Sequence, residues 1–274
     1  MSLDGTKTDT PRFIPGRFKP GMFSMMSFIA RRKLKKQFNS VRLVRGSNQA
    51  LKQLAGVRGP IIFAMNHSSW WDPLVGIELH KRYFGDREIC SPMDAAQLEQ
   101  FGIFKSIGVF GVDPEDPKSL EVMNDWVGTR FAETPKTNMW ITPQGRFSDV
   151  RETVRPRPGI ARIAARHPQA TVASLSMEYV FWSDARPECL LQVEHVPVPE
   201  KPTTAGWLRA ITEVMQRNTD DLARHAMTRN PESFRTILGG ASSGTHPIYD
   251  LWLRMRGRKT AIDLSHRVDE DSAP

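Results

Sequence analysis

Apolar residues fall in short runs along the chain, and the runs alternate with stretches of helical periodicity. The runs at 60–65 (PIIFAM), 87–90 (REIC), 106–112 (SIGVFGV), 138–142 (NMWIT), 171–178 (TVASLSME) and 189–196 (CLLQVEHV) each predict a strand. Helical patterns lie near 73–83, 93–101, 117–132 and 158–167, and a longer one runs over about 204–229. Such alternation predicts an α/β fold, a single domain with a mixed, mostly parallel central sheet flanked by helices. With 274 residues the chain has ample material for that core.

A different pattern precedes it. GMFSMMSFIARRKLKKQF (21–38) carries no charge for ten residues and then five cations. On a helix Met22, Met25, Met26 and Ile29 share one face, and Ala30, Leu34 and Phe38 continue an adjacent apolar line. The apolar part is far short of the roughly 18–20 residues that span a bilayer. A signal peptide puts its charges first, and here the order is reversed. Charge sharpens this reading. The net charge is +8, and eleven Lys and Arg lie at or before Arg45 against only Asp4 and Asp9, so the rest of the chain is nearly neutral. An apolar stripe with a cationic end suits a helix lying in the headgroup region of an anionic membrane, and a solvated end on a core helix gives the same pattern. Nucleic acid is not expected, since no recognised binding motif accompanies the charge. Three segments are therefore expected: a basic membrane-interface arm at 1–40, the main α/β domain at 41–230, and a tail at 231–274 that packs on the domain or on the membrane. The tail holds a second basic, aromatic stretch, IYDLWLRMRGRK (248–259). The protein is expected at the cytoplasmic face of a membrane as a peripheral protein, without a transmembrane span.

The candidate chemistry follows the first predicted strand. Cys90 and Cys189 stand alone and the seven histidines do not cluster, so neither a disulfide framework nor a metal site is expected. NHSSWWDP (66–73) instead places His67 beyond the carboxyl end of a buried strand, where α/β sheets bind ligands. Asp72 followed by Pro73 reads as a helix start, with Asp at the N-cap and Pro at the first helical position. It reads equally as the carboxylate that reaches the second ring nitrogen of His67, fixing the tautomer of a general base.

NHSSWWD resembles the first signature, His, any four residues, Asp, of the glycerolipid (lysophospholipid-type) acyltransferases. Later blocks follow in the expected order over roughly 55–200. IGVFGVD (107–113) is similar to the second block, ITPQGRFSD (141–149) resembles the third, written Phe-Pro-Glu-Gly-Thr-Arg-Ser, and TVASLSMEY (171–179) stands where a final apolar strand belongs. The chain departs from the family at the acceptor positions. Asp113 replaces an arginine, Gln144 replaces the glutamate, and the arginine of the third block is displaced by one, to Arg146.

The resemblance implies direct acyl transfer with no cofactor and no metal. His67 takes the proton of an acceptor hydroxyl, Asp72 orients it, and acyl-CoA or acyl carrier protein is the co-substrate. Asp113, Gln144, Gly145 and Arg146 are the expected acceptor contacts, Trp70 and Trp71 the walls of an acyl channel, and amides around Gly145 the oxyanion donors. Arg155, Arg157 and Arg162 are candidates for the phosphates of coenzyme A. An uncharged amphiphile such as a glycolipid or a carotenoid glycoside is expected as acceptor slightly ahead of a lysophospholipid, with lysophosphatidic acid the conventional alternative. From other classes, a lipid-binding module and an acyl thioesterase remain open.

Overall fold

The run at 61–65 sets the layering. Ile61, Phe63 and Met65 point to one face and Ile62 and Ala64 to the other, and all five are buried. A strand apolar on both sides must lie inside a sheet that is covered twice. The computed structural model, which describes residues 11–182 and 184–239, places it there.

In chain order the first elements are β1 (Phe13–Ile14), α1 (Pro20–Gln37), β2 (Ser40–Val44), α2 (Ser47–Ala55), β3 (Ile61–Met65) and α3 (Asp72–Tyr83). Then come β4 (Glu88–Asp94), α4 (Ala95–Gln100), a 3-10 turn (Gly102–Ser106), β5 (Val109–Val112), α5 (Pro117–Glu133) and β6 (Thr137–Ile141). The last are α6 (Gly159–Arg166), β7 (Thr171–Val180), β8 (Glu188–Val196), α7 (Thr204–Thr228), a 3-10 turn (Pro231–Ser233) and β9 (Phe234–Gly239).

The strands form one mixed sheet in the order β1-β5-β4-β6-β3-β7-β8-β2-β9. Its middle, β5-β4-β6-β3-β7, is parallel, as is the β8–β2 pair. β1, β9 and the β7–β8 hairpin add antiparallel pairings. One face is covered by α1, α2 and α3, whose Leu34, Leu51 and Leu79 meet Phe63, Leu175 and Leu191. The other is covered by α5, α6 and α7, whose Val127, Ile163 and Ile211 meet Ile62, Met139 and Val172. This is the α/β fold the alternation predicts.

The register positions the site. β6, β3 and β7 are parallel neighbours, with Ala64 opposite Ile141 and Met65 opposite Leu175. The loops after β3 and β6 and the last residues of β7 therefore leave the sheet side by side.

Four strands or helices stand where none is predicted. β1 precedes the basic segment and pairs with β5, β2 and α2 fall between that segment and the first predicted strand, and β9 falls in the predicted tail, paired with β2 at the sheet edge. β2 is hard to read because it carries Arg42, counted above with the basic arm. Arg42 is buried and pairs with Glu188 of β8 at 3.1 Å, its guanidinium over the Trp182 ring. The boundary between strand and helix also shifts at 88–100. β4 runs on to Asp94, and the predicted 106–112 strand is shortened to four residues by the 3-10 turn before it. The segment 248–259 lies outside the described residues.

α1 runs antiparallel along α3, with Phe23 against His80, Arg31 bonded to Glu78, and Phe38, just past its end, edge-on to Trp71. Phe23, Ser27, Ala30 and Leu34 are buried. The stripe expected from Met22 to Ile29 is divided. Met22 and Met26 pack on the core, whereas Met25, Phe28 and Ile29 are 44%, 66% and 38% exposed. The cationic end of α1 lies beside the start of α3, which is where the candidate site begins.

Candidate active site

α3 starts at Asp72 itself, with Trp71 in the cap position, so the expected helix cap is not what this side chain does. Its carboxylate turns back into the loop. Oδ2 accepts from His67 Nδ1 at 2.8 Å and from the amides of Ser68 and Ser69 at 2.9 and 3.0 Å. Oδ1 accepts from the Tyr179 hydroxyl at 2.6 Å. Asp72 is fully buried, and a buried carboxylate is tolerated only when donors surround it, as these four do. Burial pushes the Tyr179 hydroxyl well above its ordinary range, so it stays a donor.

With Nδ1–H given to Asp72, His67 carries its free lone pair on Nε2. Nε2 has no partner among the described residues, and the side chain is one-fifth exposed. The loop is pinned on both sides. Asn66 exchanges two hydrogen bonds of 2.8 Å with the backbone of Met177 in β7, and the Ser148 amide donates to the His67 carbonyl at 2.8 Å. The Phe147 ring lies against the imidazole with 4.1 Å between centroids, and Trp70 packs on Phe147 at 5.1 Å.

The loop after β6 turns at Gly145, whose amide donates to Thr142 O at 3.1 Å. Its φ of +68° and the Arg157 side chain 3.1 Å from where a Cβ would stand both favour glycine. That amide is thus committed to the turn. The next two, of Arg146 and Phe147, make no hydrogen bond within the described residues and are the ones left for an oxyanion. Gln144 is mostly buried and its Oε1 lacks a partner. Arg146 leans away, to Glu152 at 2.5 Å and to the Phe147 carbonyl at 3.2 Å. Asp113 closes a local turn, its carboxylate accepting from the Glu115 amide at 3.0 Å. Of the coenzyme A candidates, Arg157 pairs with Glu115 at 2.7 Å, and Arg155 and Arg162 are exposed.

Beside the histidine loop lies a cleft of about 700 Å³, with Ser68, Ser69, Trp71, Phe147, Ser148 and Tyr179 among its walls. It takes in Trp71 of the predicted channel residues, while Trp70 stands 70% exposed at the surface. Asp113, Gln144, Gly145 and Arg146 do not line it. Both cysteines are buried and neither lines it, and burial pushes the Cys90 thiol up to about 12 and the Cys189 thiol well above its ordinary range, which makes each a poor nucleophile. Among the described residues no group of three or more His, Cys, Asp or Glu could hold a metal ion.

Sequence reasoning does not single out Tyr179, Phe147 or Glu178, the last of which also lines the cleft. Their one signal is position. Tyr179 and Glu178 close the fourth block, and Phe147 occupies the arginine's place in the third.

No curated protein matches the chain. The family model described as Acyltransferase matches residues 41–178, from β2 to near the end of β7 with both loops included. The chain therefore belongs to this family, that of the glycerolipid and lysophospholipid acyltransferases, and is an acyltransferase.

Proposed function

We propose that the protein transfers a fatty acyl group from a thioester, acyl-CoA or acyl carrier protein, to a hydroxyl of a lipid acceptor at a membrane surface. The observation that supports this most is the 2.8 Å contact between His67 Nδ1 and a buried, fully bonded Asp72, which leaves Nε2 open. Nε2 takes the acceptor's hydroxyl proton as its oxygen attacks the thioester carbon. The C–O bond forms, the C–S bond breaks, and the proton passes from His67 to the leaving thiolate. The free amides of Arg146 and Phe147 are the donors available to the oxyanion.

The membrane reading rests on α1. Met25, Phe28 and Ile29 are exposed on the same helix as exposed Arg32, Lys33 and Lys36, a pairing that suits an anionic interface. Arg31 does not belong to that set, because it neutralises the buried Glu78 at 2.7 Å. Among the described residues no helix is long and apolar enough to cross a membrane.

An uncharged acceptor is favoured over lysophosphatidic acid. Three of the four arginines of the 143–157 stretch are matched to an acid, Arg146 to Glu152, Arg151 to Asp149 and Arg157 to Glu115, and the fourth, Arg155, is exposed. A phosphomonoester arriving there meets three carboxylates along with four cations. The test is to incubate the pure protein with radiolabelled acyl-CoA, lysophosphatidic acid and monoacyl glycolipids. Acylated lipid is expected. Free thiol without acylated lipid would make the protein a thioesterase, and no turnover would make it a binding module.

A further inference from the structure

The cleft beside the dyad carries polar groups that the protein leaves unsatisfied. Ser148 is 8% exposed and its Oγ has no hydrogen-bond partner, and the Ser68 Oγ is likewise buried and unpartnered. Both residues line the cleft. Buried hydroxyls are normally hydrogen-bonded, so two on lining residues mark unmet polar capacity that a polar occupant can answer. Glu178 lines the same cleft and is half-buried, and its carboxylate makes no hydrogen bond or ion pair with any described residue. Its burial raises its carboxyl above the ordinary range, opposed in part by Arg151.

The walls between these groups are aromatic: Phe147, Tyr179 and, at the rim, Phe181, which is 63% exposed. Phe147 matters most. It stands where the family's third block has arginine, and it lies on the His67 ring. A cation beside the base has been exchanged for a flat apolar face. The cation that does line the cleft, Arg151, is held by both oxygens of Asp149 at 2.8 and 2.7 Å. The charged lining is thus two carboxylates to one guanidinium.

We propose that this cleft is the head-group subsite for the acceptor, that it takes an uncharged polyhydroxylated group such as a sugar ring, and that Glu178 sets the preference. A pyranose has an apolar C–H face for the phenyl rings and hydroxyls that donate to a carboxylate and exchange hydrogen bonds with serines. A phosphate has acceptors only, and it faces Glu178 with like charge. The cleft volume of about 700 Å³ holds a sugar with part of its lipid. This inference rests on the acyltransferase reading above and adds the residue and the chemistry that select the acceptor.

Glu178→Gln and Glu178→Lys test it, each compared with the unaltered protein for kcat/KM on monoacyl galactosylglycerol and on lysophosphatidic acid, with dodecanoyl-CoA as donor. The unaltered protein should prefer the galactolipid. Glu178→Lys should shift the ratio towards lysophosphatidic acid on the order of 10–100-fold, the weight of a hydrogen bond to a charged group, through KM for the acceptor. Glu178→Gln, nearly isosteric and still an acceptor, should fold and shift it less. An unchanged ratio in both variants, or a change confined to KM for the donor, overturns the subsite. Should the unaltered protein acylate neither lipid, the proposed reaction fails, and equilibrium dialysis of hexanoyl-galactosylglycerol decides the subsite separately. Binding weakened by Glu178→Lys supports it, and binding equal in both proteins, or absent, overturns it.

Discussion

The two loops that meet at the site are built in opposite ways. The loop of residues 66–72 is held by buried bonds, with four donors on Asp72 and Asn66 clamped to β7. The loop of residues 143–152 is tied by backbone bonds at Gly145 and Ser148, and its charged side chains are tied by ion pairs in water. Arg146–Glu152 and Arg151–Asp149 are exposed at both ends, and such pairs rearrange at little cost. The first loop keeps the family's His and Asp, and the second departs from the family at Gln144, Arg146 and Phe147. On the proposed mechanism the acid–base pair sits on the rigid loop, and the positions that depart from the family's third block sit on the adaptable one.

The contrast is tested hardest at Asp72. Asp72→Asn keeps the shape but reverses the donor pattern facing Nδ1, and kcat should fall on the order of 10³–10⁴-fold. A drop below tenfold in a folded protein would remove the distinction between the loops.

A second histidine supplies the control. His80 in α3 is fully buried, with Nε2 donating to Arg87 O at 3.0 Å and Nδ1 accepting from Trp140 Nε1 at 3.3 Å. Burial, the largest influence, lowers its pKa from 6.5 to about 4. The unfolded imidazole binds its proton at the higher pH, so this contribution is full above about pH 6.5 and is lost as pH falls towards 4. The loss should be about 3 kcal/mol. Denaturant titrations between pH 7 and 4 should show it, and His80→Phe should flatten that slope while lowering stability throughout. A slope equal in both proteins would assign the acid sensitivity to other groups.

Tyr179→Phe should cost less. It deletes one hydrogen bond to the Asp72 carboxylate, about 1.5–3 kcal/mol if fully expressed. Because Tyr179 acts through Asp72, kcat should fall roughly tenfold with a displaced pH profile and an unchanged donor KM. An unchanged pH profile would mean that the hydroxyl serves packing alone. Arg146→Ala should do least, altering kcat/KM for an uncharged acceptor within about threefold. A far larger loss would make Arg146 an acceptor contact after all.

How much of this is legible in the sequence differs between the loops in the same way. The His67–Asp72 spacing reads two ways, as a helix cap or as an acid–base pair, and the resemblance of NHSSWWD to the family's first signature favours the pair. The central strands read well, because Ile61–Met65 is apolar on both faces. β2 hides because a buried Arg42 is written like a surface cation, and only Glu188, far along the chain, neutralises it. α1 shows two adjacent apolar stripes, and which one meets α3 depends on a partner surface that spacing does not encode. Tyr179 and Glu178 lie over a hundred residues from the histidine and reach the site through the β3–β7 pairing. Which amides around Gly145 stay free does not read from the sequence, because the turn that Gly145 permits consumes its own amide and leaves those of Arg146 and Phe147.

The central claim is that His67 is the general base that deprotonates the acceptor hydroxyl. Its most direct test is the single-turnover rate of acyl transfer from labelled acyl-CoA to the best lipid acceptor, in the unaltered protein and in His67→Ala. Circular dichroism and thermal unfolding should confirm that the variant is folded. The rate should fall on the order of 10²–10⁴-fold or more, with donor binding retained. A folded His67→Ala protein that transfers the acyl group at the unaltered rate would contradict the account.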